Sequence, residues 1–413
     1  MVTREEAKEI LEKLTLTEEK HKRRLTKKES VNVIRELYTS AIKSFQEYVD
    51  IKPIYHTFIS IWAVGALFHD KFESYPYLFL NAMKGSGKSR TLKLIMKLIG
   101  GDVATSMTEA VLFRNKEPLA IDEFEGIGRK GQENLRELLN AAYKRGSVVF
   151  RMKQKKIKEE TTQIRERFDV YRPIALANIW GMEEVLGDRC ISSILEKSNN
   201  KQITRRLEDF DYSPTIKTFL EKKQQIPFIS DHLFPERISI SRLWNEYINS
   251  QHSQHSHNSL NSHNSLINLF NKIEKTGIYG RELELFFPLF VISYYIGEDV
   301  LDNLIDFSYE IIKEKRESSL IENYDVKVID FVSQYTNDSF VSIKQLTQDF
   351  KDFLQSSEEW INEKWLGRRL KTLVLVKEKK KSSGIYVILD IEKAQQKIKM
   401  FVGDSGIKGV SGV

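Results

Sequence analysis

From Ser30 onward the apolar residues Val31, Ile34, Leu37, Ile42, Phe45 and Val49 recur at helical intervals and predict an amphipathic helix of about five turns. A second helix is expected over 55–68, where Phe58, Ile59, Ile61, Trp62 and Ala66 supply a packing face. Between Tyr75 and Trp180 the rhythm changes. Short apolar runs at 77–81, 103–107, 118–121 and 173–177 alternate with helical stretches at 88–99, 108–113 and 132–144. That alternation predicts a parallel sheet covered by helices. After Asn178 the chain is helix-rich, and residues 322–400 read as three short helices followed by a hairpin.

The same pass divides the chain. Residues 1–51 form a helical N-terminal extension, with a solvated, charge-dense arm over 1–27. Residues 52–200 form the α/β core and 201–320 a helical region. The latter is interrupted at 251–268 by a His/Asn/Ser stretch too polar to offset its ordering entropy, hence an expected flexible insertion. Residues 321–400 form a further domain, and the glycine-rich 401–413 a disordered tail.

Composition narrows the classes. At 413 residues the chain exceeds what one core organises. Lys and Arg outnumber Asp and Glu by 64 to 58, a mildly basic balance that permits nucleic acid as a partner without showing it. The single cysteine, Cys190, excludes an intrachain disulfide framework and any multi-cysteine zinc module, and suits a reducing cytoplasm. The N-terminus lacks a secretory pattern, and the longest apolar run, 285–296, is too short to span a membrane. It reads as a buried core helix. His252, His255, His257 and His263 cluster in the polar insertion, without the scaffold a metal site requires.

The chemistry concentrates after the first core strand. Ala82-Met83-Lys84-Gly85-Ser86-Gly87-Lys88-Ser89 follows an apolar run and opens a helix, matching the phosphate-loop pattern except for alanine at its first position. Glycines at 85 and 87 let backbone N–H groups approach phosphates, Lys88 reaches the terminal oxygens, and Ser89 offers its hydroxyl to Mg²⁺. Ala82, Gly85, Ser86, Gly87, Lys88, Ser89, Arg90 and Asp122 are therefore the expected nucleotide-contacting set, with Ser89 and Asp122 as metal ligands. Leu119-Ala120-Ile121-Asp122-Glu123 is a short strand ending in two carboxylates, with Asp122 placed for the metal and Glu123 for the attacking water. Asn178 ends the 173–177 strand, either to orient that water or to cap the following turn. Arg189 is either an arginine finger for a neighbouring subunit or a surface partner of Asp188 or Glu184.

Taken in order, these elements resemble AAA+ ATPases, and most closely the ATPases that accompany phage and plasmid primases and the minichromosome maintenance helicases. Tyr75 to Leu78, Leu119 to Glu123, Leu186 to Ile191 and Gly280 to Glu284 carry the likeness. The resemblance implies a P-loop AAA+ core with an α-helical lid and a C-terminal winged helix, ATP and Mg²⁺ as cofactors, and a homo-oligomer, expected to be a hexamer. It puts Arg281 where such lids carry a nucleotide-sensing arginine, with Arg205 and Arg206 as competing candidates. Lys153, Lys155, Lys156 and Lys158 sit on an expected hairpin, suited to single-stranded DNA in a ring channel or else a solvated charged loop. Lys364, Arg368, Arg369 and Lys371 on a third helix, with Lys379 and Lys380 on a wing, suit duplex DNA, although such modules also dock proteins. The function implied is an ATP-driven DNA helicase in the replication of a mobile element or virus, working with a primase or other replication proteins. The alternative is an ATP-switched initiator or loader that does not translocate.

Overall fold

The computed structural model describes residues 25–105, 108–123, 133–157, 160–178, 184–252, 262–322, 324–355, 358, 360–382 and 384–402. The chain divides into two compact units, Met1–Phe307 and Ser308–Val413.

The first unit begins with α1 (Lys27–Tyr48), whose start is set by a capping box: Glu29 N donates to Thr26 Oγ1, and Thr26 N donates to Glu29 Oε2. Its buried positions, among them Ile34, Leu37, Ala41, Phe45 and Tyr48, follow the three-to-four spacing of the sequence. Helix α2 (Pro53–Ala66) starts on a proline at its first position and is buried on nearly every side. It is sandwiched between α1 and a later helix, α12 (Gly280–Ile296). Trp62 Nε1 donates to Pro76 O at 2.8 Å, which ties α2 to the approach to the first strand.

Five parallel strands follow: β1 (Tyr77–Ala82), β2 (Asp102–Ala104), β3 (Leu119–Ile121), β6 (Ile174–Asn178) and β7 (Cys190–Leu195), in the order β2-β3-β6-β1-β7. Strands β3 and β6 are buried at every position, which is why they read as unbroken apolar runs. Helices cover both faces. Helix α3 (Lys88–Ile99) packs on β2, β3 and β6 and also meets α1 and α2. On the other face Leu112 and Phe113 of α4 (Glu109–Arg114), with Leu135 and Leu139 of α5 (Glu133–Ala142), join Tyr77, Phe79 and Leu176 in one core. The α/β core expected from the alternation is thus present, with the four expected strands within a few residues of their places and β7 as a fifth that the alternation did not predict.

Strands β4 (Val148–Ile157) and β5 (Glu160–Asp169) stand outside that sheet as a two-stranded antiparallel ribbon, paired from Val148 with Asp169 to Ile157 with Glu160. At about 3.4 Å per residue it runs roughly 30 Å. Its base is anchored: Phe168 packs on Phe113 at 4.6 Å, and Arg151 pairs with Glu109 of α4.

Beyond α6 (Glu184–Gly187) and β7 the unit is helical: α7 (Lys201–Thr204), α8 (Pro214–Lys223), α9 (Ile226–Leu233), α10 (Ile240–His252), α11 (Ser262–Glu274), α12 and the start of α13 (Glu298–Glu322). The 285–296 run lies in α12, buried as expected. Helix α11 begins inside the stretch read as a flexible insertion, because Leu266, Leu269 and Phe270 give it an apolar face to bury. The polar composition of 251–268 masked that start. His255 and His257 lie outside the described residues.

The second unit holds the end of α13, α14 (Tyr324–Ser333), β8 (Val341–Ser342), α15 (Ile343–Phe353), α16 (Glu363–Thr372), β9 (Val376–Lys381), β10 (Ile385–Leu389) and α17 (Ile391–Val402). An antiparallel sheet ordered β8-β10-β9 closes on a separate core that includes Ile329, Leu346, Phe350, Leu366 and Val387. Helix α17 goes beyond the sequence expectation. It packs on α14 through the buried Ala394 and Ile398.

No helix among the described residues is long and apolar enough to cross a membrane.

Candidate active site

The loop from β1 into α3 is shaped by two residues that need a left-handed backbone, Gly85 at φ +79 and Gly87 at φ +86. An ordinary side chain would cost about 1–2 kcal/mol at each. Gly87 is also the N-cap of α3, so the free N–H groups and positive end of that helix face the loop. Ala82 is the last residue of β1, buried at 2 % exposure and paired with Leu195 of β7. The first position of the motif is therefore a buried strand residue.

Lys88 and Ser89 open α3, and Asp122 comes to them from the end of β3. Ser89 Oγ donates to Asp122 Oδ2, and Lys88 Nζ lies 3.4 Å from Asp122 Oδ1. Residues 33 positions apart in sequence meet because α3 carries the chain to β2 at the sheet's end and α4 brings it back to β3, two strands from β1. Lys88, Ser86 and Asp122 are all buried, at 8 %, 7 % and 6 % exposure. Among the described residues, Lys88 Nζ and Ser86 Oγ have no hydrogen-bond partner. A buried hydroxyl without an acceptor, beside a buried ammonium held only by the 3.4 Å ion pair to Asp122, fits an anion such as a phosphate at this helix N-terminus, since an unsatisfied buried donor costs about 1–3 kcal/mol. A carboxylate beside a serine hydroxyl is likewise the oxygen donor set that suits Mg²⁺.

Glu123 carries a conformational signature: at φ +58 it is one of three non-glycine residues in the left-handed region among those described. Its N–H donates to Asp122 Oδ1 at 3.0 Å, which holds the turn, and its side chain is exposed. Strain of this kind concentrates where a side chain must be aimed. Asn178 ends β6 at 5 % exposure, and β6 lies between β1 and β3. Its register partner is Asn81. The strand order thus brings Asn178 to the same sheet edge as the loop and Asp122, the edge where open parallel sheets bind ligands.

Arg189 and Arg281 lie at the opposite edge. Arg189 O accepts from Tyr77 N at 2.9 Å, beside the start of β1. At ~3.3 Å per residue this is about 17 Å along the strand from Ala82. The Arg189 guanidinium sits 5.2 Å from the Tyr143 ring centroid, and its Nε donates to Asn140 O at 3.1 Å. Arg281 lies 4.7 Å from the same ring, donates to the Tyr143 hydroxyl, and pairs with Glu284 at 2.9 Å. Lys144 joins the group 2.8 Å from Glu284, which holds the Lys144 ammonium above its ordinary pKa. Neither arginine converges on the loop of its own chain. Arg90 is engaged elsewhere as well: its two terminal nitrogens donate to Ile203 O and Arg206 O at 2.9 and 2.8 Å, so its side chain secures α7 rather than reaching a phosphate. Arg206, with Glu47 and Tyr48, belongs to a cluster that joins the segment after α7 to α1.

One residue near the loop escapes sequence reasoning. Lys197, two positions past the end of β7, passes its side chain over Gly85, so that a Cβ built at Gly85 would lie 3.3 Å from Lys197 Cε. Only the pairing of β7 with β1 reveals this; no motif spacing marks it.

On the ribbon Lys153 is exposed but pairs with Glu166 at 3.3 Å. Lys155 and Lys156 fall within β4, and Lys158 lies outside the described residues. The register assigns Phe150, Met152, Arg165 and Arg167 to one face. Phe150 and Met152 are 45 % and 61 % exposed, and Arg165 lies 4.5 Å over the Phe150 ring. In the second unit Lys364, Arg368 and Lys371 form an exposed stripe on α16, whereas Arg369 is turned to Asp325 at 3.3 Å. Lys379 and Lys380 are exposed on β9, an edge strand. Comparison with protein-family models gave no match, and a search of curated proteins gave none.

Proposed function

We propose that the protein is an oligomeric ATPase of the AAA+ type that drives movement on DNA. The observation that carries the reading is the meeting of Lys88, Ser89, Asp122, Glu123 and Asn178 at one sheet edge, where the buried Ser86 hydroxyl and Lys88 ammonium make no hydrogen bond among the described residues. Lys88 and Ser86 bind the phosphates of ATP, Glu123 accepts the proton of the attacking water, and Asn178 orients that water. Ser89 and Asp122 hold Mg²⁺, which when bound neutralises charge on the phosphate oxygens. Arg189, with Arg281 beside it on the far edge, serves the loop of a neighbouring subunit in a head-to-tail ring.

In this reading the helices of 201–307 form the lid, and the unit from Ser308 is a winged helix. The ribbon projects Lys153 and the Phe150 face toward single-stranded DNA. Mixing two silent variants tests the shared site. Lys88→Ala and Arg189→Ala each lose hydrolysis, yet an equal mixture restores it at roughly a quarter of interfaces, where an intact loop meets an intact arginine. A mixture as silent as its parts refutes the shared site.

The exposed α16 stripe favours a second reading, an ATP-switched factor that grips duplex DNA without moving along it. Strand displacement on a forked duplex, dependent on ATP, selects the motor; duplex binding without displacement selects the switch.

A further inference from the structure

We propose that Lys197 is a second phosphate-binding cation of this site, contacting the diphosphate portion of a bound nucleotide; the inference rests on the nucleotide reading of the loop. Strands β1 and β7 run side by side in parallel and end together, Ala82 opposite Leu195. The chain beyond β1 becomes the glycine-rich loop, and the chain beyond β7 lies next to it. Lys197 Cε comes so close to Gly85 that a Cβ there would stand 3.3 Å away. The end of the Lys197 stem therefore lies against the loop from the β7 side, with its ammonium one bond beyond Cε, while Lys88 enters from the start of α3.

The two lysines differ in surroundings. Lys88 is buried and drawn to Asp122 at 3.4 Å. Lys197 is exposed, and no carboxylate among the described residues pairs with it. Ser86, between them in the loop, adds a buried hydroxyl with no partner. Lys84 in the loop, with Lys88 and Lys197, sets three cations against the two carboxylates Asp122 and Glu123 at this edge, a surplus of one positive charge beside loop donors that a diphosphate would engage.

Lys197 is also held in place rather than trailing into solvent. The next residue, Ser198, donates its hydroxyl to Asp50 Oδ2 at 2.5 Å, and Ser198 Oγ accepts from Asn200 N at 3.0 Å. Asn200 in turn caps α7 through Gln202 N at 3.0 Å. Asp50 lies between α1 and α2, so the N-terminal helices fix the segment that carries the cation. Lys197 is the phosphate-binding residue, and Asp50 is a positioning residue that acts through it.

The test measures equilibrium binding of a fluorescent ADP and ATP analogue to the full chain, with the melting temperature of the nucleotide-free protein recorded in parallel. Lys197→Ala is expected to weaken both nucleotides about tenfold, with Lys197→Arg recovering most of the loss. Because the cation is exposed, the loss shrinks in high salt. Asp50→Ala weakens binding by less, and the Lys197→Ala/Asp50→Ala double variant binds as Lys197→Ala alone. The nucleotide-free melting temperature of Lys197→Ala stays that of wild type. Unchanged affinity in Lys197→Ala, with affinity lost in Lys88→Ala, overturns the role of Lys197 and leaves the nucleotide site standing. Absence of nucleotide binding by the wild-type protein overturns the underlying reading as well. An equal loss for adenosine, which has no phosphate, overturns the phosphate contact. Binding of inorganic pyrophosphate with the same Lys197 dependence supports the diphosphate as the group recognised.

Discussion

Replacing Glu123 by asparagine and, in parallel, by glutamine separates the strain at this position from its chemistry. Glu123 sits at φ +58, in the left-handed region, where an ordinary L-residue pays about 1–2 kcal/mol and asparagine is tolerated far better. Both replacements remove the carboxylate. Both also keep the backbone N–H that donates to Asp122 Oδ1 at 3.0 Å, so the turn keeps its hydrogen bond. The side chain is exposed, and no buried contact is lost. The net expectation is that Glu123→Asn stabilises the nucleotide-free protein by about 0.5–1 kcal/mol relative to Glu123→Gln, which stays at the wild-type value. For a large folded unit this is an increase of roughly 1–4 °C in melting temperature. Scanning calorimetry of the three proteins measures it, and a coupled phosphate-release assay on the same samples measures turnover. Both variants should hydrolyse ATP at least 100-fold more slowly, the loss expected when a general base is removed. Opposite signs in Glu123→Asn, more stable and less active, mark a residue held in strain for chemistry. A lower melting temperature for Glu123→Asn than for Glu123→Gln refutes the strain argument, and full turnover in either refutes the assignment of Glu123.

Gly65→Ala places a Cβ 2.6 Å from the Tyr75 hydroxyl, which donates to Trp62 O at 2.5 Å, and should cost about 1–3 kcal/mol in urea unfolding; adding Tyr75→Phe recovers part of that loss. Burial holds the His56 and His69 imidazoles below the ordinary 6.5, against opposing pulls from Asp50 on His56 and from Asp70 and Asp169 on His69. The unfolded chain then binds more protons as pH falls below that value. The stability contributed by the neutral rings is complete above it and is lost on acidification toward the folded-state pKa values, by at most about 1.4 kcal/mol per pH unit for each ring. Melting curves between pH 7.5 and 5.5 should flatten in His56→Gln, and an unchanged slope counts against the assignment. Phe150→Ala and Arg165→Ala should each weaken single-stranded DNA binding about tenfold in fluorescence anisotropy, the scale of one lost base stack, with melting shifts below about 1 kcal/mol because the pair is exposed. Equal binding by both variants removes this face of the ribbon from the DNA path.

Local physics was legible in the chain itself. Helix α3 spans Lys88–Ile99 as its spacing predicts, because two left-handed glycines must precede it and apolar residues repeat along it. Strands β3 and β6 were visible as unbroken apolar runs because both faces of a parallel sheet are covered. Lys88, Ser89, Asp122 and Asn178 could be nominated because each follows a strand end or opens a helix, and those positions are readable from short windows of sequence.

What lay beyond such windows was decided by tertiary contacts. The insertion of β6 between β1 and β3 brings Asn178 to the loop, and no local signal encodes strand order. The start of β7 beside Tyr77 sends Arg189 to the far edge, where Arg281 meets it across Tyr143 from 92 residues later in the chain. Arg90, adjacent to the motif, was drawn away by the carbonyls of Ile203 and Arg206. Lys197 was brought to Gly85 only by the pairing of β7 with β1. Periodicity, turn chemistry and capping act over a few residues and are written in the sequence. Which strands become neighbours is settled by the packing of whole faces, and that packing determined which charges share the candidate site.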